Sequence, residues 1–188
     1  MQKSEIKNIL LVLGLLSIAT ISRLVDHPGN FTPMVGIMLF GVAYFQKNIF
    51  RFLVPISFIL FSDIVLELKT GQGFHELLPV VYLAYALIGV SAYFLLKKVS
   101  LVNLGLASLI STTLFFLITN FALFYPASAE VNATLGYYPH NMQGIIASYS
   151  AGIPFFKNML VGDLMFTGFI FGTYHLVRNF GFSFSKNY

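Results

Sequence analysis

Two aspartates stand in apolar surroundings: Asp63 in Phe58-Ile59-Leu60-Phe61-Ser62-Asp63-Ile64-Val65 and Asp163 in Leu160-Val161-Gly162-Asp163-Leu164-Met165. A carboxylate at membrane depth costs a few kcal/mol even on lenient insertion scales, so each must face a protein interior, water or a cation. One chemistry open to them is structural, as ion pairs or caps that hold helices together. The other is functional, as part of a pocket or a proton relay. The spacing assigns no pairing.

A second constellation is Gly71-Gln72-Gly73-Phe74-His75-Glu76, where glycines permit tight turns beside an aromatic ring, an imidazole and a carboxylate. Neutral imidazole is a common metal ligand. One histidine without a cysteine or a second histidine nearby does not make a protein-only metal site. A cobalt or iron already held in a tetrapyrrole needs only an axial ligand, which His75 could supply. The plain alternative is loop structure. His27 and His140 fall in other loops of the same side, and His175 falls near a helix end.

A third is the stretch from Tyr125 to Ile153. Its Tyr125, Tyr137, Tyr138 and Tyr149, with Asn132, Asn141 and Gln143, pair apolar faces with hydrogen-bonding edges. So long a loop is usually a lid, a binding loop or a linker. An interfacial aromatic belt would also account for its tyrosines.

The elements that must position these groups follow from composition. Of 188 residues, 57% are hydrophobic and 10% charged, against about 25% charged in ordinary soluble domains. The mean hydropathy is +0.80. A water-soluble globule is excluded, and the chain reads as one all-α, polytopic membrane domain over 1–188. Six apolar runs predict helices at about 9–24, 34–45, 50–68, 78–96, 101–124 and 154–177, with a long outer loop at 125–153. The first has the charged front of a signal peptide but no small-x-small exit, and is expected to remain as a helix. The second, at twelve residues, spans only about 18 Å of the ~30 Å hydrocarbon layer.

Positive charge gives an independent reading. Six spans with both termini cytoplasmic put Lys3, Lys7, Lys47, Arg51, Lys97, Lys98, Arg178 and Lys186 inside, and Arg23, Lys69 and Lys157 outside. The links Gln46–Ile49 and Lys97–Ser100 are then tight and cytoplasmic. The longer links Val25–Pro33, Lys69–Leu77 and Tyr125–Ile153 face outward, and function is expected there.

Several classes fall away. There are no cysteines, hence no disulfide, thiolate metal site or thiol nucleophile. The eleven Lys and Arg form no basic stripe, so nucleic acid is a poor partner. No G-x-x-x-x-G-K-[ST] loop is present, so energy for active transport must come from a partner or a gradient. Gly168-Phe-Ile-Phe-Gly172 and Ala107-x-x-x-Ser111 provide small residues at helix-contact spacing and are expected to pack within the bundle.

The strings Asn30-Phe31-Thr32-Pro33-Met34-Val35-Gly36, Leu39-Phe40-Gly41, Ser62-Asp63, Gly73-Phe74-His75, Val81-Tyr82, Phe116-Leu-Ile-Thr-Asn120-Phe121 and Ile153-Pro154-Phe155-Phe156-Lys-Asn158-x-x-x-Gly162-Asp163 together resemble a bacterial family of small membrane proteins assigned to transport. That family is similar to the substrate-binding S components of energy-coupling factor (ECF) transporters. The resemblance runs from Arg23 to Gly172. It implies a six-helix bundle in the bacterial cytoplasmic (inner) membrane, a vitamin-sized pocket open to the outside, and ECF-type transmembrane and ATPase subunits as partners. The nearest characterised branch is the solitary cobalamin-uptake S components, where an outer-loop cysteine is associated with the corrinoid cobalt. Without a cysteine, either His75 takes the axial place or the substrate differs.

The leading expectation is a non-enzymatic, substrate-binding uptake protein for a small vitamin-like nutrient, a corrinoid among the candidates, with no cofactor required. Asn30, Phe31, His75, Tyr82, Asn120, Tyr138 and Asp163 are the expected ligand-binding residues. A proton-coupled carrier using Asp63 or Asp163 is the alternative. An intramembrane enzyme with His75, Glu76 and Asp163 as acid and base groups, or an assembly subunit, completes the set. No H-E-x-x-H or nucleophile-elbow motif favours the enzyme.

Overall fold

A computed structural model describes residues 3–45, 47–124, 138 and 141–181. The described residues form six helices and no strand: α1 (Lys3–Ser22), α2 (Met34–Tyr44), α3 (Asn48–Thr70), α4 (Leu78–Leu95), α5 (Leu101–Phe124) and α6 (Met142–Gly181). Four of them, α3 to α6, are long and apolar enough to cross a membrane, while α1 and α2 contribute shorter apolar segments. Large apolar side chains such as Leu83, Phe94, Leu117, Phe121 and Phe169 point outward. Soluble monomers rarely expose apolar surface on that scale. The chain is a helical membrane protein.

The shortness of α2 has a structural reason. Every residue from Met34 to Val42 is buried, and α2 touches all five other helices. A helix that is apolar all round belongs in the middle of a bundle. Wrapped in protein, α2 need not match the bilayer thickness by itself. Gly41 lets it close on α3, because a Cβ there would overlap the ring of Pro55. At the far end of α2 an aromatic cluster joins it to α6: Phe40 meets Phe171 edge-on at 5.1 Å and Tyr174 at 5.4 Å. Tyr174 then donates to Asn8 Oδ1 of α1 over 2.9 Å.

The last helix departs from expectation. It starts at Met142, not Pro154, and runs for 40 residues, so residues 142–153 are helix, not loop. Asn141 caps it, its Oδ1 accepting from Gly144 N at 3.1 Å, the N3 position a capping side chain serves. Contacts to α5 hold the added turns. Ser148 Oγ donates to Asn120 O (2.9 Å), Tyr149 Oη donates to Leu117 O (2.8 Å), and Phe116 packs on Tyr149 and Phe156. Proline favours a helix start but is tolerated inside membrane helices, where neighbouring helices and side chains re-satisfy the freed backbone groups.

A second correction concerns Gly168 and Gly172. Both lie on the exposed face of α6, and a Cβ on either would meet nothing within 4 Å. Their spacing serves no contact within the described bundle. Ala107 and Ser111 do pack inside it, both fully buried.

Candidate functional site

The α1–α2 and α3–α4 linkers gather at one end of the bundle, with the C-terminal half of α5 and the N-terminal half of α6. Each linker is built to hold a shape. In the first, Phe31 N donates to Pro28 O at 3.0 Å, closing a turn in which Asn30 takes a left-handed φ of 62°. Asparagine tolerates that region better than most side chains. Phe31 then packs on Phe166 (5.6 Å between ring centroids) and against Gly162, while Asn158 Nδ2 donates to Gly29 O at 3.1 Å. The linker is thereby fastened to α6.

The second linker leaves α3 through Gly71, whose φ of 67° makes it the left-handed cap of the helix. Gly73 then lies directly on the α3 backbone. A Cβ there would collide with Asp63 O and Glu67 N, so only glycine fits. Glu67 Oε2 accepts from Phe74 N at 2.9 Å, and Leu78 N donates to His75 O at 2.9 Å as α4 begins. The glycines noticed in the sequence thus fix where His75 stands.

Between the linkers and the helix ends lies a cavity of about 340 Å³. Asn30, His75, Asn120 and Asp163 line it, four of the seven expected ligand-binding residues. Phe31 and Tyr82 sit behind the wall. Phe31 anchors the first linker to α6, and Tyr82 donates to Asp63 Oδ2 at 2.6 Å. Tyr138 is half-buried and does not line the cavity. Tyr125, Asn132, Tyr137 and His140 lie outside the described residues.

The lining includes groups that sequence reasoning missed. Arg23, Tyr85, Phe116, Thr119 and Phe155 join it. Thr119 and Phe116 flank Asn120 within two turns of α5, so the run Phe116-Leu-Ile-Thr-Asn120 was the available signal. The N-terminus of α2 also opens here: Met34 and Val35 line the floor, and Pro33 gives the helix no side-chain cap. Free first-turn N–H groups attract acceptors and anions.

The two aspartates have different settings. Asp63, 2% exposed, is paired: Arg23 Nη1 donates to its Oδ1 and to Ser62 Oγ, each at 2.5 Å, and Tyr82 supplies the third contact. The network ties α1, α3 and α4 together below the linkers. Asp163, 3% exposed, has no cation within ion-pair distance among the described residues. Its neighbour is a hydroxyl, Thr112 Oγ1, at 2.6 Å.

Among the described residues no three or more His, Cys, Asp or Glu side chains gather as a metal site. His75 is exposed and stands alone at the mouth. His27 rests against local carbonyls, Pro28 O and Arg23 O, and His175 contacts Asn179 at the other end of the bundle. The arrangement provides an apolar and aromatic wall, amide and hydroxyl edges, one guanidinium and one carboxylate, which is the equipment of a binding pocket. Comparison with curated proteins and with solved structures gives no match. Over residues 3–183 the chain matches the family of unknown function DUF6580, and it belongs to that family.

Proposed function

We propose that the protein binds a small vitamin-like nutrient at the outer face of a bacterial cytoplasmic membrane and serves its uptake. The observation that carries the reading is the cavity itself: about 340 Å³, at the linker end, with Asn30, His75, Asn120 and Asp163 converging on it from four parts of the chain. Its volume falls at the low end of the ~300–1,000 Å³ usual for small-molecule pockets. That suits a nutrient of one or two rings and is tight for a corrinoid, whose macrocycle carries many side groups. Arg23 and the uncapped start of α2 favour a carboxylate or another acceptor group on the ligand. His75 then acts as a hydrogen-bonding lip.

In this account the six helices cross the membrane with both termini inside. The distribution of Lys and Arg supports that orientation, with Lys47, Arg51, Lys97 and Lys98 opposite the cavity end. The chain binds and does not convert its ligand. Inward release needs a partner, and ECF-type transmembrane and ATPase subunits are the class the sequence resemblance suggests. Asp63, neutralised by Arg23 and hydrogen-bonded by Tyr82, is a fastening and not a relay.

The test is equilibrium binding by purified protein of a panel of acidic and neutral vitamins, with a corrinoid and haem followed by absorption. Saturable one-to-one binding of one small member, weakened by His75→Ala and Asn120→Ala, is the expected result. A bound tetrapyrrole whose spectrum shifts on His75→Ala would replace the small-ligand reading with a corrinoid or haem carrier. Failure of every compound at micromolar concentration would remove the uptake reading.

A further inference from the structure

Beneath the cavity, α5 and α6 face each other with an unusual set of buried oxygens. Ser108, Ser111 and Thr112 are fully buried, and Asp163 and Thr167 are 3% exposed. Three of these hydroxyls, Ser108 Oγ, Ser111 Oγ and Thr167 Oγ1, have no hydrogen-bond partner among the described residues. A buried polar group left unpaired is costly, and a native structure that keeps several has a use for them. Asp163, beside them, has no cation partner among the described residues.

Helix register shows how the oxygens are arranged. The two helices run antiparallel, as the contacts of Asn120 with Ser148 and Thr112 with Asp163 establish. Ser108 lies four residues before Thr112 and Thr167 four after Asp163, so each is one turn further along the same face. Thr112 and Asp163 make one layer, and Ser108 and Thr167 the next. Four residues of helix rise about 6 Å. Hard cations bind oxygen at about 2.3–2.6 Å in the case of calcium, and sodium has nearly the same radius. Side chains lean toward the N-terminus of their own helix, so in this antiparallel pair Thr112 and Thr167 lean toward each other across that rise. Thr112 Oγ1 comes within 2.9 Å of Ser108 O, and the space between the layers is where their oxygens converge.

We infer that the α5–α6 interface below the cavity is a binding site for a sodium-sized monovalent cation, with the Asp163 carboxylate as its charged ligand and the hydroxyls of Thr112, Ser108 and Thr167 as neutral ones. Hard oxygen donors select alkali and alkaline-earth ions over transition metals. A single carboxylate among neutral hydroxyls balances one positive charge; a divalent ion would leave net charge in an apolar interior. Ser111, on the adjoining side of the same turn, is a further donor. Above it the ion closes the cavity floor, since Asp163 lines both. On the α2 side, Gly36 packs closely on the Thr167 backbone. The site stands on these oxygens whichever nutrient occupies the cavity.

The test uses the full chain purified in detergent, with sodium chloride exchanged for choline chloride at constant ionic strength. Radiosodium binding and the circular-dichroism melting temperature are read together. One saturable sodium per chain is expected, with a rise in melting temperature that lithium reproduces better than potassium. Asp163→Asn abolishes both. Ser108→Ala and Thr167→Val remove unpaired hydroxyls, so in choline they melt no lower than the parent, yet they weaken sodium binding by about tenfold or more. These two keep the proposal testable if Asp163→Asn fails to fold. A melting temperature equal in all salts, a sodium response that survives the three substitutions, or a response to pH alone would overturn the site.

Discussion

Arg23, one residue past the end of α1, reaches across to Asp63 in the middle of α3, and the two are held further by Ser62 and Tyr82. The pair sits directly beneath the cavity that Arg23 also lines. It therefore does two things at once: it neutralises a carboxylate buried within an apolar helix, and it fixes a guanidinium at the wall of the pocket.

Breaking that pair from one side should be worse than removing it. Arg23→Ala leaves Asp63 buried and uncompensated. The expected loss is near the lower end of the roughly 3–5 kcal/mol typical of a broken buried pair, because 19% of the Arg23 side chain remains exposed. The double variant Arg23→Met/Asp63→Leu should recover much of the loss in thermal unfolding. Equal destabilisation by the single and double variants would mean that the pair does not act as a unit.

The loop glycines should separate by mechanism. Gly71→Ala forces a Cβ into a left-handed conformation and should cost about 1 kcal/mol with binding retained. Gly73→Ala places a Cβ on the α3 backbone, where nothing flexible can yield. It should displace His75 and abolish nutrient binding while most helix content remains. Circular dichroism and a binding isotherm on the two variants distinguish them.

Gly152 lines the cavity on α6, against Asn120 and Phe116 of α5. A Cβ there meets Asn120 Oδ1 and the ring of Phe116, both side chains that border open space. Gly152→Ala should therefore turn them into the cavity. About a tenfold loss of ligand affinity is expected, with a change in melting temperature of only a few degrees. An unchanged affinity would put the ligand elsewhere.

Orientation is directly measurable because the chain has no cysteine of its own. Gln72→Cys, in the exposed α3–α4 linker, should react with an impermeant maleimide in intact cells. Lys98→Cys, exposed between α4 and α5, should react only after the membrane is opened. The reverse pattern would invert the proposed topology.

Much of this architecture was legible because hydrophobic runs of helical length are the strongest signal a membrane chain carries. The second run read as too short to span by itself, and its role emerged only from three dimensions, as the buried centre of the bundle. His75 and Asp163 stood out as polar residues in glycine-rich and apolar settings, Asn30 and Asn120 entered with the strings that carry the family resemblance, and all four line the cavity. The pairing of Arg23 with Asp63 was not legible, since the two are 40 residues apart and no local pattern joins them. The start of α6 was hidden because the continuous apolar run begins only at Pro154, and the polar residues before it read as loop; their helix is held by contacts to α5 that no local pattern shows. Gly168 and Gly172 had the spacing for helix contact, but spacing says nothing about which face meets a neighbour. The hydroxyls of Ser108, Thr112 and Thr167 could have been found from the four-residue steps 108–112 and 163–167, which stack polar side chains on one helix face.

Native mass spectrometry of the purified chain, released from detergent in the gas phase before and after incubation with the vitamin panel, shows whether the cavity takes up a nutrient. One small molecule per chain is expected, lost in the His75→Ala/Asn120→Ala double variant while the folded charge-state distribution is kept. A chain that stays folded and takes up none of the panel, or a bound molecule indifferent to His75 and Asn120, would contradict it.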